Sequence, residues 1–292
     1  MNNKTKGYLS IIASVFCFAI IETTGTLIYK GGANPLTLLT IRFLLASLLF
    51  LATYFIFKRF SLKIKKEDIW KIVLSSGILV IHLMSFWWGL KTLNHIATSL
   101  AIFFTFPLWV MILSSLFLKE KFGRIRIASL GIGILGVLFA IKFLPQLSVS
   151  SMNVRGISFM LLAAISWAFY MIVNYELMKK YHWMTILFYN FAIASIAFLI
   201  LQNPITTFNQ LTPAIFGYIV LMAIVSTYIA YLLFHVAIKK IKASNTAIVN
   251  LLKPIFSIGL ASLILSQKVN SIQIIGIILL LFSNYLLIKD NG

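Results

Sequence analysis

Four residues of ionisable type stand inside long apolar stretches of this 292-residue chain: Glu22, Arg42, His82 and Lys253. A charged side chain costs roughly 2.5 to 3.5 kcal/mol at the centre of a bilayer on insertion scales, so each should face a cavity or a partner. Their types suggest a chemistry. Glu22 can take up a proton or a substrate ammonium, Arg42 and Lys253 can hold a carboxylate, and His82 can relay a proton. Structural roles compete with each of these: a static Glu22 to Arg42 ion pair, a Lys253 that neutralises Glu22 or snorkels, and a His82 that only packs. Asn250 lies one turn before Lys253 and joins it as a candidate donor. Pro254 follows Lys253, and its missing amide leaves the carbonyl near residue 250 unpaired and kinks the helix; Pro107 is the corresponding kink in the first half. Trp167, Tyr170 and Tyr228 lie too deep for interface anchors and suit a ring-lined cavity for an apolar or cationic solute. The remaining rings, among them Trp87, Phe103, Phe104, Phe106 and Tyr231, read mostly as lipid-facing bulk or interface anchors. Ser166, Asn174 and Asn190 are further polar candidates or interhelical glue.

The elements that must position these residues follow from composition. The chain is 61% hydrophobic and 11% charged, too apolar for a soluble domain. It resolves into ten apolar segments, at 8 to 29, 35 to 57, 70 to 90, 96 to 118, 127 to 144, 154 to 177, 183 to 202, 213 to 238, 243 to 266 and 271 to 288. Most are long enough for a helix to cross a ~30 Å hydrocarbon layer, and lipid demands that backbone groups pair within the segment. The expected fold is therefore an all-α polytopic membrane protein with ten transmembrane helices. The net charge of +19 is not a nucleic-acid footprint, because the basic residues punctuate apolar runs. With both termini cytoplasmic, the inner connections take Lys4 and Lys6, the runs Lys58 to Lys71, Lys119 to Arg126 and Lys239 to Lys242, then Lys179, Lys180 and Lys289. That places 18 of the 25 basic residues inside and five outside, at Lys30, Lys91, Lys142, Arg155 and Lys268. The basic loop after the second segment is expected to attract anionic lipid. The single cysteine, Cys17, excludes an intrachain disulfide, the four histidines have no metal spacing, and Gly131, Gly133 and Gly136 lack the context of a nucleotide loop. No cofactor and no enzymatic activity are expected. His95, His182 and His235 read as interfacial, at segment ends.

The halves echo each other. Gly7 through Ala19 aligns with Gly156 through Ala168, and Ala97 to Lys121 with Ala243 to Lys268. The expected units are residues 1–144 and 154–288, each with five spans. An odd number of spans per copy forces the second to insert upside down, the architecture of many transporters with midplane sites. By helical rise Glu22 and Arg42 fall at similar depth, ~21 Å from the inner side and ~10 Å from the outer side.

These residues carry a family resemblance. The run Ala101 to Pro107, the turn Leu118-Lys119-Glu120-Lys121 and Gly131, Gly133 and Gly136 recur as Ala247 to Pro254, Ser266-Gln267-Lys268 and Gly276, with Thr40-Ile41-Arg42-Phe43 in the second segment. Over nearly its whole length the chain resembles the drug/metabolite transporter superfamily, specifically its ten-span EamA-like branch. Gln267 departs from the acid usual at that turn. The resemblance implies secondary active transport of a small organic solute by alternating access.

An amino acid or related amine is the expected substrate, with a coupling proton and export in the inner or plasma membrane, because Glu22 and the two bases offer both signs. The alternative is uptake or exchange of a quaternary amine, nucleotide-type or adenosyl-linked metabolite. A channel and an intramembrane structural or sensory protein are the other classes. Expected partners are the solute, the proton and membrane lipid, without nucleic acid, in a monomer or weak homodimer.

Overall fold

Lipid offers no water to satisfy backbone groups, and among the described residues the only regular secondary structure is helical. The computed structural model describes residues 2–32, 34–57, 60–93, 96–142, 153–202, 211–265 and 269–290. His95 and the Ser266-Gln267-Lys268 turn lie outside them.

The helices in order are α1 (Asn3–Lys30), α2 (Pro35–Phe57), α3 (Ile69–Leu93), α4 (Ile96–Phe103), α5 (Phe106–Leu118), α6 (Arg124–Ala140), α7 (Val154–Leu177), α8 (Trp183–Leu201) and α9 (Pro213–Leu221). A π-helical segment, Met222–Ile229, follows, then α10 (Ala230–Asn250), α11 (Lys253–Leu265) and α12 (Ser271–Asp290). Local chemistry starts several of them. The Asn153 side chain accepts the amides of Arg155 and Gly156 at the head of α7, and Thr212 accepts that of Ile215 before Pro213 at the head of α9.

Among the described residues, eight helical runs are long and apolar enough to cross a membrane. The chain is thus an all-α polytopic membrane protein, and the expectation of ten differs at two places. Arg124–Ala140 has only 17 residues. The expected eighth and ninth segments lie in one apolar stretch, Pro213–Asn250, of 38 residues, in which non-helical backbone at Lys242 separates one helix from the next. That run turns at Lys242, whose φ of 70° is left-handed. Beside the turn, Ser244 Oγ donates to Glu120 Oε2 at 2.8 Å and Lys242 Nζ lies 3.7 Å from Glu120 Oε1. Glu120, from the turn Leu118-Lys119-Glu120-Lys121, thereby ties the end of α5 to this bend.

Two helices break in the same way. Eight residues of α4 and 13 of α5 flank Phe104 and Thr105. Residues 243–250 and the 13 residues of α11 flank Leu251 and Leu252. Pro107 and Pro254 each occupy the second position after the break, where a missing amide is tolerated but the helix cannot continue backwards through it.

Packing is reciprocal across the halves. Helix α1 runs along α9, the π segment and α10, while α3 runs along α7; α2 meets α8 and α6 meets α12. A Cβ on Gly7 would lie 2.6 Å from Ile241 Cγ2, and one on Gly156 2.6 Å from Leu93 Cγ. The glycines aligned in sequence therefore permit equivalent close approaches, α1 to α10 and α7 to α3.

His182 caps α8, its Nδ1 accepting the Met184 amide at 3.3 Å, with the ring stacked on Phe60 at 6.0 Å. Burial, then the charge of Lys239, pushes its pKa below the ordinary histidine value. The folded chain therefore binds fewer protons here than the unfolded chain. The cap's contribution is complete above the unfolded value of about 6.5 and is lost as pH falls through the lower folded value. Thermal unfolding midpoints should drop between pH 7 and pH 5, and His182→Asn, which caps without titrating, should flatten that slope. An unchanged slope in that variant would assign the acid sensitivity elsewhere.

Candidate functional site

A cavity of about 590 Å³, part of it open to the outside, lies where the two broken helices meet α1, α2, α3, α7 and α10. The breaks explain its position. At each one the α-helical ladder gives way to i−3 hydrogen bonds beside a proline, with Thr105 and Leu251 still in right-handed dihedrals, and side chains on either side line the cavity: Phe103, Phe104 and Phe106 from the first, Asn250 and Lys253 from the second. Helix α1 adds Phe18 and Ile21, α2 adds Arg42, α3 adds His82, Leu83, Phe86 and Trp87, α7 adds Trp167, and α10 adds Tyr231.

Five of the residues singled out from sequence therefore share one cavity: Arg42, His82, Trp167, Asn250 and Lys253. Arg42 is 2% exposed and Lys253 9% exposed, so both cations lie in a low-dielectric setting where an anionic group interacts strongly. Arg42 is oriented by the neighbouring π-helical segment. Its Nε donates to Thr227 Oγ1 and its Nη2 to the Ser226 carbonyl at 3.2 Å.

His82 is held by Nδ1, 2.9 Å from the Ala163 carbonyl of α7. A carbonyl only accepts, so Nδ1 carries the proton and a neutral ring keeps Nε2 as an acceptor. The ring lies 4.8 Å from that of Trp167 and 5.7 Å from that of Phe103. Tyr231 meets Phe18 edge-on at 5.2 Å and Trp167 at 6.0 Å. The result is an aromatic wall interrupted by cations and a neutral amide, which can enclose a solute with an apolar body and hold an acidic group at one end.

The other candidates sit elsewhere. Tyr170 stands behind Trp167, stacked at 5.3 Å, and its hydroxyl accepts from Asn190 Nδ2 at 3.3 Å. Asn190 also donates to Asn174 at 3.1 Å and accepts from Ser76 at 3.0 Å, while Asn174 donates to Ser75 at 2.9 Å. This buried network joins α3, α7 and α8, and it extends toward His235, whose Nε2 lies 3.5 Å from the Tyr170 hydroxyl. His235 is fully buried within the bundle. Tyr228 pairs its hydroxyl with Thr53 at 2.5 Å and packs on Phe50 at 4.6 Å, away from the cavity wall. Glu22 follows the cavity residue Ile21 on α1, but its side chain lies outside the described residues, and so does the alternative of a static pair with Arg42.

Tyr231, Phe18, Leu83 and Phe86 were not distinguishable from lipid-facing residues by type. Phe103, Phe104 and Phe106 carried one usable signal, their position beside Pro107.

A model of the EamA-like transporter family matches this chain twice, over residues 5–142 and 154–289. An uncharacterized transporter of Clostridium kluyveri is 27% identical, the match covering 98% of this chain and 94% of that one. One of Archaeoglobus fulgidus is 25% identical over 88% and 89% of the two chains. The uncharacterized transporter YcbK of Bacillus subtilis is 24% identical over 92% and 88%. A protein of solved crystal structure superposes with a TM-score of 0.79 at 15% identity, covering 97% of this chain and 96% of that one, a likeness of fold alone.

Proposed function

The chain belongs to the EamA-like transporter family, and from that premise we propose that it is a secondary active transporter of an amino acid or related amine. It is a multi-pass protein that moves a small molecule across the inner or plasma membrane, and its family is one of transporters, not enzymes. The finer reading is alternating access by ten spans, in two inverted five-helix units at 1–144 and 154–288, with both termini cytoplasmic. Its support is the doubled family match, the equal lengths either side of the two breaks, and the reciprocal close approaches of Gly7 and Gly156.

The observation that carries the substrate class is the meeting of Arg42, Lys253 and Asn250 with the rings of Trp167 and Tyr231 in one cavity. Two cations favour a carboxylate, the rings accommodate a side chain, and Glu22 is the acid on α1 to receive an ammonium or a coupling proton. A thermal-shift screen of amino acids, polyamines, nucleosides and quaternary amines, followed by counterflow in liposomes, tests this. Saturable counterflow of amino acids is expected. Counterflow confined to nucleosides or quaternary amines would replace the substrate class, and non-saturating flux without counterflow would indicate a channel.

Proton coupling places Glu22 at the centre of a second expectation. Transport driven by an imposed pH gradient should lose most of its pH dependence in Glu22→Gln, with folded yield retained. An equal pH dependence in that variant would remove the residue from the coupling step.

A further inference from the structure

The π-helical segment Met222–Ile229 interrupts α-helical hydrogen bonding in the run that faces α1 and α2, and π turns recur at functional sites. Its residues reach α2 at two points. Thr227 and Ser226 receive the Arg42 guanidinium, and Tyr228 pairs with Thr53. We propose that this segment is a clamp that sets the plane of Arg42, with Thr227 as the positioning residue for carboxylate recognition in the cavity. The carboxylate part rests on the amino-acid reading above; the clamp itself does not.

The direction of the contact is fixed by proton accounting. Thr227 Oγ1 donates its only hydrogen to the Met222 carbonyl, five residues back, at 3.0 Å. Its oxygen therefore acts toward Arg42 only as an acceptor, which suits the Nε–H. The Ser226 carbonyl takes Nη2 from the same helix. Two contacts to adjacent residues of one segment hold the planar guanidinium at two nitrogens, so its orientation toward the cavity is set by the π turn and not by the α2 rotamer alone. Thr227 and Ser226 are fully buried, and valine at 227 has the shape of threonine but would leave the buried Nε–H without this acceptor.

Two readouts test the proposal on the purified full-length protein. The first is the rate at which phenylglyoxal modifies Arg42, followed by peptide mass spectrometry. The second is the affinity, by thermal shift, for 3-phenylpropionate and for phenethylamine, which pair the same ring with a carboxylate or an ammonium. Thr227→Val should speed modification of Arg42 and weaken 3-phenylpropionate binding, each by about tenfold, the loss expected for one hydrogen bond to a charged group. Phenethylamine binding should stay within about twofold, and Thr227→Ser, which keeps the hydroxyl, should behave as wild type in both assays. Thr227→Ala makes the same comparison if the valine variant does not fold. Equal modification rates in the valine variant and wild type would overturn the clamp, and equal loss of both probes would reduce Thr227 to a packing role. A wild type that binds neither probe counts against the amino-acid reading, while the modification rate still decides the clamp.

Discussion

Arg42→Met should lower counterflow at limiting amino acid by roughly 30-fold to more than a thousandfold, the range set by the ~2 to 5 kcal/mol cost of removing one partner of a buried charge pair. Burial is the first reason. Arg42 is 2% exposed, lines the cavity and is oriented by Thr227 and Ser226, so its charge has been withdrawn from water and its geometry fixed before a solute arrives. A carboxylate entering that setting gains a charge-assisted hydrogen bond with little ordering cost. Arg42→Lys separates charge from shape. An ammonium cannot satisfy the Thr227 and Ser226 acceptors as a planar fork while also facing the solute, so the lysine variant should keep no more than about a tenth of wild-type transport at low concentration. The loss should fall mainly in KM, measured from initial counterflow rates with folded yield checked by size-exclusion profile. A lysine variant with wild-type KM would sink the claim that guanidinium geometry matters here.

The second large effect is structural. Gly276→Val should lower the unfolding midpoint by an amount equivalent to about 3 kcal/mol, the upper end of ordinary overpacking costs. At this position a Cβ would meet backbone, not a side chain able to move: Gly136 O at 2.7 Å and Ala140 Cα at 2.8 Å. The α6 and α12 backbones would have to separate. In lipid no hydrophobic gain offsets the dispersion attraction that separation forfeits, because the tails are as apolar as the helices. Gly131→Val is the matched control, since a Cβ there would meet nothing within 4 Å. The two valine variants should differ sharply in thermal or detergent-induced unfolding, and equal midpoints would show that the α6–α12 contact does not limit stability.

Glycines and prolines show how unevenly the fold was legible. Gly7 and Gly156 were found by self-alignment, and each permits a close approach between its helix and the opposite half. Pro107 and Pro254 marked both breaks, because a missing backbone donor has the same consequence wherever it lies. The count of spans was less legible. The bend at Lys242 falls between the expected eighth and ninth segments, whereas nothing in the apolar run after Arg124 announces that its helix stops at Ala140.

Arg42, His82, Asn250, Lys253 and Trp167 could be singled out because charge, amide polarity or a deeply placed ring is costly or unusual in hydrocarbon, and that cost is a property of residue type and depth. Tyr231, Phe18 and Phe86 could not, since an aromatic ring is equally at home against lipid or against a solute. Thr227 and Ser226 were silent for a related reason: hydroxyls in a membrane helix bond to their own backbone as readily as to a neighbour.

The amino-acid sequence by itself determined that this chain lives in a membrane as helices, that its halves repeat, and which polar residues need burial or a partner. Those are consequences of transfer cost and backbone pairing, which act locally. Tertiary structure alone decided which side chains share the cavity, that Tyr170 and Tyr228 stand outside its wall, and that a π turn orients Arg42. A helix apolar on every face has no periodic signal to say which face turns inward, so that choice is made only when neighbouring helices meet.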